Sequence, residues 1–182
     1  DTMSVKAHFG EATARRAVLQ LKDNTYKVGA LDWHDGALAY DQNFVPRAKR
    51  GFDAAHISLS DLHLGIDSFC YAANTIDLRI RAAHFAEQSG MRVNTLKGTF
   101  HTDSTRLALE DFHLTMPETD LKGTFRMDMN AFADRHPGQM LARLAGHTAL
   151  GDLRPFLASL PADVVGALPK SRITVKGQLT GN

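Results

Sequence analysis

Leu96–Phe100 reads LKGTF, and the same five letters return at Leu121–Phe125, 25 positions later. The match continues past the pentapeptide, as LKGTFHTD over Leu96–Asp103 against LKGTFRMD over Leu121–Asp128. A second echo spans 50 positions, with SDLHL at Ser60–Leu64 against EDFHL at Glu110–Leu114, flanked by Ile57 and Leu59 in one copy and by Leu107 and Leu109 in the other. A looser copy of the first motif, VKGQL, stands at Val175–Leu179. A catalytic loop is needed once, whereas a structural unit needs the same chemistry at every turn. Two echoes at 25 and 50 positions therefore predict a repeat architecture.

The unit is a strand. In Thr75–Arg81, TIDLRIR, Ile76, Leu78 and Ile80 point one way, and Asp77, Arg79 and Arg81 the other. Strict alternation describes a sheet with one apolar face and one wet face. Ile57–Ile66 alternates too, but its phase slips at Ser60-Asp61, between the Ile57/Leu59 pair and the Leu62/Leu64/Ile66 set. Leu107 and Leu109, then Phe112, Leu114 and Met116, repeat the slip at Glu110-Asp111. One extra residue in a strand is a β-bulge, which bends and twists the strand. Turn chemistry separates the runs at Asp35-Gly36, Ser89-Gly90, Asp103-Ser104 and Met116–Asp120 with Pro117. The resulting unit is a hairpin with Leu96–Thr102 going out, Asp103-Ser104 turning and Arg106–Met116 returning. Arg16–Lys22, Thr25–Leu31 and Ala37–Asp41 read as earlier strands.

The pattern changes after Phe132. Asp134 is placed to cap a helix carrying Met140, Leu141 and Leu144. A second short helix is predicted from Asp152 with Leu153, Phe156, Leu157 and Leu160, and Pro161 and Pro169 bracket a third piece with Val164, Val165 and Leu168. Arg172–Gly181 returns to strand. The expected fold is mainly β: an elongated antiparallel sheet of hairpin repeats over 1–132, a helical insert over 133–168 and a returning strand over 169–182. The whole of 1–182 reads as one segment of a larger repeat protein.

The chain has 182 residues and a net charge of +1, which gives no electrostatic reason for a nucleic-acid partner. The one basic cluster, Arg47–Arg50, reads as a solvated loop. Cys70 is the only cysteine, so neither an intrachain disulfide nor a four-sulfur metal site can form. No run of about 18 apolar residues is present to span a membrane as a helix, and no signal peptide is visible. Serine-hydrolase, zinc-protease, dinucleotide and P-loop motifs are absent, so no catalytic residue, cofactor or metal is expected. Asp32, His34 and Asp35 form the tightest group of ligand-type side chains, but zinc sites gather three or four converging ligands. His63 and His113 occupy equivalent places in the echo, on the face opposite Leu62/Leu64 and Phe112/Leu114.

An antiparallel sheet with one apolar face must cover it. Three short helices are too few for so many strands. A sheet that curls without closing leaves an apolar groove suited to an acyl chain, since each buried CH₂ contributes about 0.8 kcal/mol. On this register the lining comprises Leu62, Leu64, Ile66, Ile76, Leu78, Ile80, Phe100, Leu107, Leu109, Phe112, Leu114 and Phe125. An ordinary filled core is the alternative for the same residues.

From ISLSDLHLGID through TIDLRIR and LKGTFHTDSTRLALEDFHLTMPETDLKGTFRMDMNAF, and again over Leu168–Asn182, the succession resembles the large AsmA-like/TamB-type envelope proteins in their Bacteroidota form. The resemblance covers roughly residues 55–182 and rests on structural positions. It implies a β-taco, an open curled sheet with an apolar interior. It further implies a periplasmic location within an inner-membrane-anchored Gram-negative protein, and a part in phospholipid transport and outer-membrane assembly. The implied partners are phospholipid acyl chains and, through a C-terminal part that this chain lacks, an outer-membrane barrel protein. Two other classes compete: a scaffold or interaction module with a filled core and a partner at a sheet edge, and an enzyme with polar groups converging near Asp32, His34 and Asp35.

Overall fold

The computed structural model describes residues 2–131, 138–157 and 172–181. It holds one antiparallel sheet of twelve strands: β1 (Met3–His8), β2 (Glu11–Arg15), β3 (Val18–Gln20), β4 (Thr25–Val28), β5 (Ala30–Gln42), β6 (His56–Ala72), β7 (Thr75–Glu87), β8 (Arg92–Thr102), β9 (Arg106–Met116), β10 (Thr119–Asp128), β11 (Met140–Ala149) and β12 (Arg172–Gly181). From β5 to β12 each strand pairs with the next. β1 and β2 share the free edge of β5, while β3 and β4 form a short flap on β6. The sheet is curled and does not close.

Local chemistry sets the turns. Ala73 and Asn74 both have positive φ (49° and 62°), giving the two-residue hairpin whose twist matches that of the flanking strands. Asp103 organises the β8–β9 turn. Its carboxylate accepts from the Thr105 hydroxyl at 2.6 Å, the Thr105 amide at 2.7 Å and the Arg106 amide at 3.0 Å. Both predicted bulges are present, with Asp61 and Asp111 left-handed at φ 52° and 48° and pairing registers that shift beside them.

The LKGTF copies lie in β8 and β10, one on each side of β9 and in the same rows. Leu96, Leu114 and Leu121 pair in sequence across the three strands, as do Phe100, Leu109 and Phe125. VKGQL continues these rows in β12, where Val175 follows Leu121 through Gly146 and Gly177 follows Gly123 through Leu144. The 50-position echo is of another kind. It falls on β6 and β9, three places apart, so the two copies run in opposite directions. What repeats there is a bulged strand and not two hairpin periods.

Three expectations are corrected. Asp35-Gly36 is no turn but a third bulge inside β5, with Asp35 at φ 51°. Gly36 has no side chain because the Trp33 indole lies over it. Met140–Ala149 is strand β11, where a helix was expected. Met140, Ala142 and Leu144 alternate onto the apolar face opposite Met127, Phe125 and Gly123. Because alanine suits either period, the i, i+4 pair also satisfied a helical reading. The helical part is one turn, α1 (Leu150–Leu153), followed by a 3-10 turn over Arg154–Leu157. The expected pieces around Leu160, Val164, Val165 and Leu168, and the cap at Asp134, lie outside the described residues.

Candidate functional site

Pairing carries the apolar face from strand to strand. One row runs Trp33, Leu64, Ala83, Leu96, Leu114 and Leu121 from β5 to β10. A second runs Val28, Phe69, Leu78, Phe100, Leu109 and Phe125. All twelve predicted lining residues fall on this face. Leu62, Ile66 and Phe112 are buried, and Leu64, Ile76, Leu78, Ile80, Phe100, Leu107, Leu109, Leu114 and Phe125 remain half-buried. Trp33, Phe69, Ala83, Val93, Leu96 and Leu121 belong to the face as well. Trp33, Phe69, Ala83 and Val93 escaped the sequence reading because short or bulged runs hide their phase, whereas Leu96 and Leu121 stand in phase with Phe100 and Phe125. Partner positions across the strands reveal them.

No second layer covers this face among the described residues. None of their large side chains is completely buried, and the accessible surface is 11919 Å². A compact chain of 20.0 kDa exposes about 8,700 Å².

One end is stoppered. α1 and the following 3-10 turn bury Leu150 and Pro155 there. Asp152 accepts from the Glu118 amide at 2.8 Å and from the Thr119 hydroxyl at 2.7 Å. That hydroxyl also meets the hydroxyl of Thr148 at 2.8 Å. The β5–β6 loop crosses the same end, where the Phe52 amide donates to the Pro155 carbonyl at 2.8 Å and the Phe52 and Phe156 rings sit 5.4 Å apart. His56 anchors the loop. It is buried, with its ring nitrogens 2.9 Å from Asp53 and 3.5 Å from Asp41. Near Trp33 the face holds one orphan polar atom, the buried indole Nε1, which has no hydrogen-bond partner. Phe9 stacks on that indole at 4.4 Å between ring centroids.

The opposite face is polar and internally paired. Asp32, His34 and Asp35 do not converge. Asp32 joins Arg81, which also donates to Asp67 at 3.0 Å; His34 Nδ1 meets His63 Nδ1 at 3.3 Å; Asp35 projects into solvent 3.7 Å from His63. Among the described residues, no group of three or more His, Cys, Asp or Glu side chains is placed to hold a metal ion. His63 and His113 lie on this face as expected, and each is held by a carboxylate: His63 by Asp61 at 3.3 Å, His113 by Asp120 at 3.0 Å. Asp61 also bonds His84 at 3.0 Å. That bond first, and the one to His63 second, keep its carboxyl below the usual range. Arg47 of the basic cluster pairs with Asp41.

No described helix is long and apolar enough to cross a membrane. Comparisons with protein-family models, with curated proteins and with solved structures give no match for this chain.

Proposed function

We propose that this chain is a non-enzymatic segment of a lipid conduit of the AsmA/TamB-like kind, its apolar face forming a trough for phospholipid acyl chains. On this reading it works in the periplasm, within an inner-membrane-anchored protein that serves outer-membrane biogenesis. The observation that supports it is the continuous apolar face of the curled sheet, half-buried over most of its rows and, among the described residues, covered at one end only. A face of that kind must be shielded from water by something. An alkyl tail gains about 0.8 kcal/mol for each CH₂ it buries, so a tail lying along several rows is strongly held. The scaffold reading requires a filled core, and the half-exposed rows speak against it.

The test is a photo-crosslinking amino acid placed at Phe100, on the apolar face, or at Thr99, next to it on the polar face, in the full-length protein in cells. Lipid attached at position 100 and absent at position 99 is the expected result. Equal labelling at both positions, or none at either with both variants folded, rejects the trough and returns the chain to the scaffold class.

A further inference from the structure

The basic cluster Arg47–Arg50 lies in the β5–β6 loop, and the lipid trough makes no use of it. The loop is tied down at several points. The Gln42 amide donates to the Ala55 carbonyl at 2.8 Å and closes the loop at its base, while the Phe52 amide holds it to Pro155. Asp53 shapes it from within. Its carboxylate accepts from the Ala48 amide at 2.7 Å and the Ala55 amide at 3.1 Å, and meets the buried His56 ring at 2.9 Å. The Ala48 amide first, then His56 and the Ala55 amide, keep that carboxyl below its usual range. Gly51, at φ 79°, supplies the left-handed position that follows Arg50.

The loop lies over a cavity of about 480 Å³. Arg47, Lys49, Arg50 and Asp53 line it from the loop, and Gln88 and Ser89 from the β7–β8 turn. Three permanent cations therefore share the lining with one carboxylate. The carboxylates in the neighbourhood are already engaged: Asp53 by the loop's own amides, Asp41 by Arg47, and Glu87 by the Ser89 amide at 2.8 Å. Lys49 and Arg50 are exposed, and among the described residues neither has a hydrogen bond or an ion pair. Like charges this close repel one another, and an anion between them removes the repulsion.

We infer that the cavity beside the Arg47–Arg50 loop binds a phosphate ester, with Lys49 and Arg50 meeting its oxygens and Arg47 completing the positive rim. A guanidinium presents paired N–H donors that match two oxygens of one phosphate, and an ammonium adds a point charge. The cavity sits at the stoppered end of the sheet, where Phe52 of the same loop meets Phe156. On the trough reading, on which this source of phosphate rests, the ester is the head group of a phospholipid whose tails lie along the apolar rows. A soluble phosphate ester offers the same chemistry without tails.

The test titrates the whole chain by calorimetry with two probes, glycerophosphoglycerol and monomeric dihexanoyl phosphatidylglycerol, which share a head group and differ in tails. Saturable binding of the lipid is expected, with weaker binding of the head group, both reduced at least tenfold by Lys49→Gln with Arg50→Gln. Binding should also weaken as salt rises. Because both side chains are exposed and unpartnered, the double variant should match the wild type in circular dichroism and melting temperature. A folded Phe100→Asp chain separates the site from the trough: it should lose affinity for the lipid and keep its affinity for the head group. Cation-dependent binding to which the tails add nothing upholds the site, assigns it to a soluble phosphate ester and counts against the trough. No binding of either probe overturns the site. So does lipid binding that the folded double variant retains in full, which leaves the trough in place.

Discussion

At the scale of single residues, the sheet depends on a few backbone positions with unusual requirements. Asp111 is exposed and left-handed, a conformation that costs L-residues about 1–2 kcal/mol and that Asp, Asn and Gly tolerate best. Asp111→Val should therefore lower stability by about 1–2 kcal/mol, and Asp111→Gly should change it little; urea unfolding of the two variants checks this. Gly123→Ala places a methyl group on the Arg143 carbonyl oxygen and is expected to cost about 3 kcal/mol, the upper end for overpacking. Chemical denaturation should show a clear loss for Gly123→Ala and almost none for Gly177→Ala. Asp61 and Asp111 were legible because a phase slip is visible in the letters. Asp35 was not, because Asp-Gly serves a hairpin turn and a bulge equally well. The Trp33 indole that decides between them sits two residues upstream.

At the scale of the element, the β8–β9 hairpin carries its own pH dependence. His101 bonds Asp77 at 2.6 Å and Asp103 at 3.3 Å, and these contacts, Asp77 first, raise its pKa above the ordinary 6.5. Asp103 is lowered, first by the Thr105 hydroxyl and then by the Thr105 and Arg106 amides. A raised histidine stabilises fully below 6.5 and loses that contribution as pH climbs through its folded value. A lowered carboxyl stabilises above its ordinary 3.8 and loses that contribution on acidification. The hairpin should thus be most protected between about pH 4 and 6.5, with the protection factors of its amides, relative to intrinsic exchange at each pH, falling on either side. His101→Gln should abolish the alkaline limb and leave the acid limb in place, as protection factors across the turn would show. This hairpin was readable from sequence almost to its ends, since Asp103-Ser104 punctuates two alternating runs, the second with a single phase slip at Glu110-Asp111. β11 was not, because its alanine at position 142 carries no vote between a period of two and one of 3.6.

At the scale of the whole molecule, the apolar face is blocked at one end among the described residues. Met116 is buried beside the stopper, next to Thr119 and its bond to Asp152. In a Cys70→Ser background, Met116→Cys should react slowly with a maleimide. Adding Phe52→Ala and Phe156→Ala should speed labelling at least tenfold by freeing the stopper from the loop, as a mass-spectrometric time course would record. The mainly-β architecture and the polarity of its two faces could be read from the letters, because alternation is local. The order of strands along the sheet could not be read from the echoes. The 25-position echo reports alternate strands of one meander, whereas the 50-position echo reports a shared bulge on strands of opposite direction. The uncovered apolar face carries a thermodynamic consequence. Unfolding a well-covered domain raises the heat capacity by about 12–15 cal/mol/K per residue, chiefly by wetting apolar surface. Among the described residues, much of that surface is already accessible to water in the native state. The empty chain should give a ΔCp below that range in differential scanning calorimetry, and filling the trough should move it back up, so the curvature of the stability curve reports whether the face is covered.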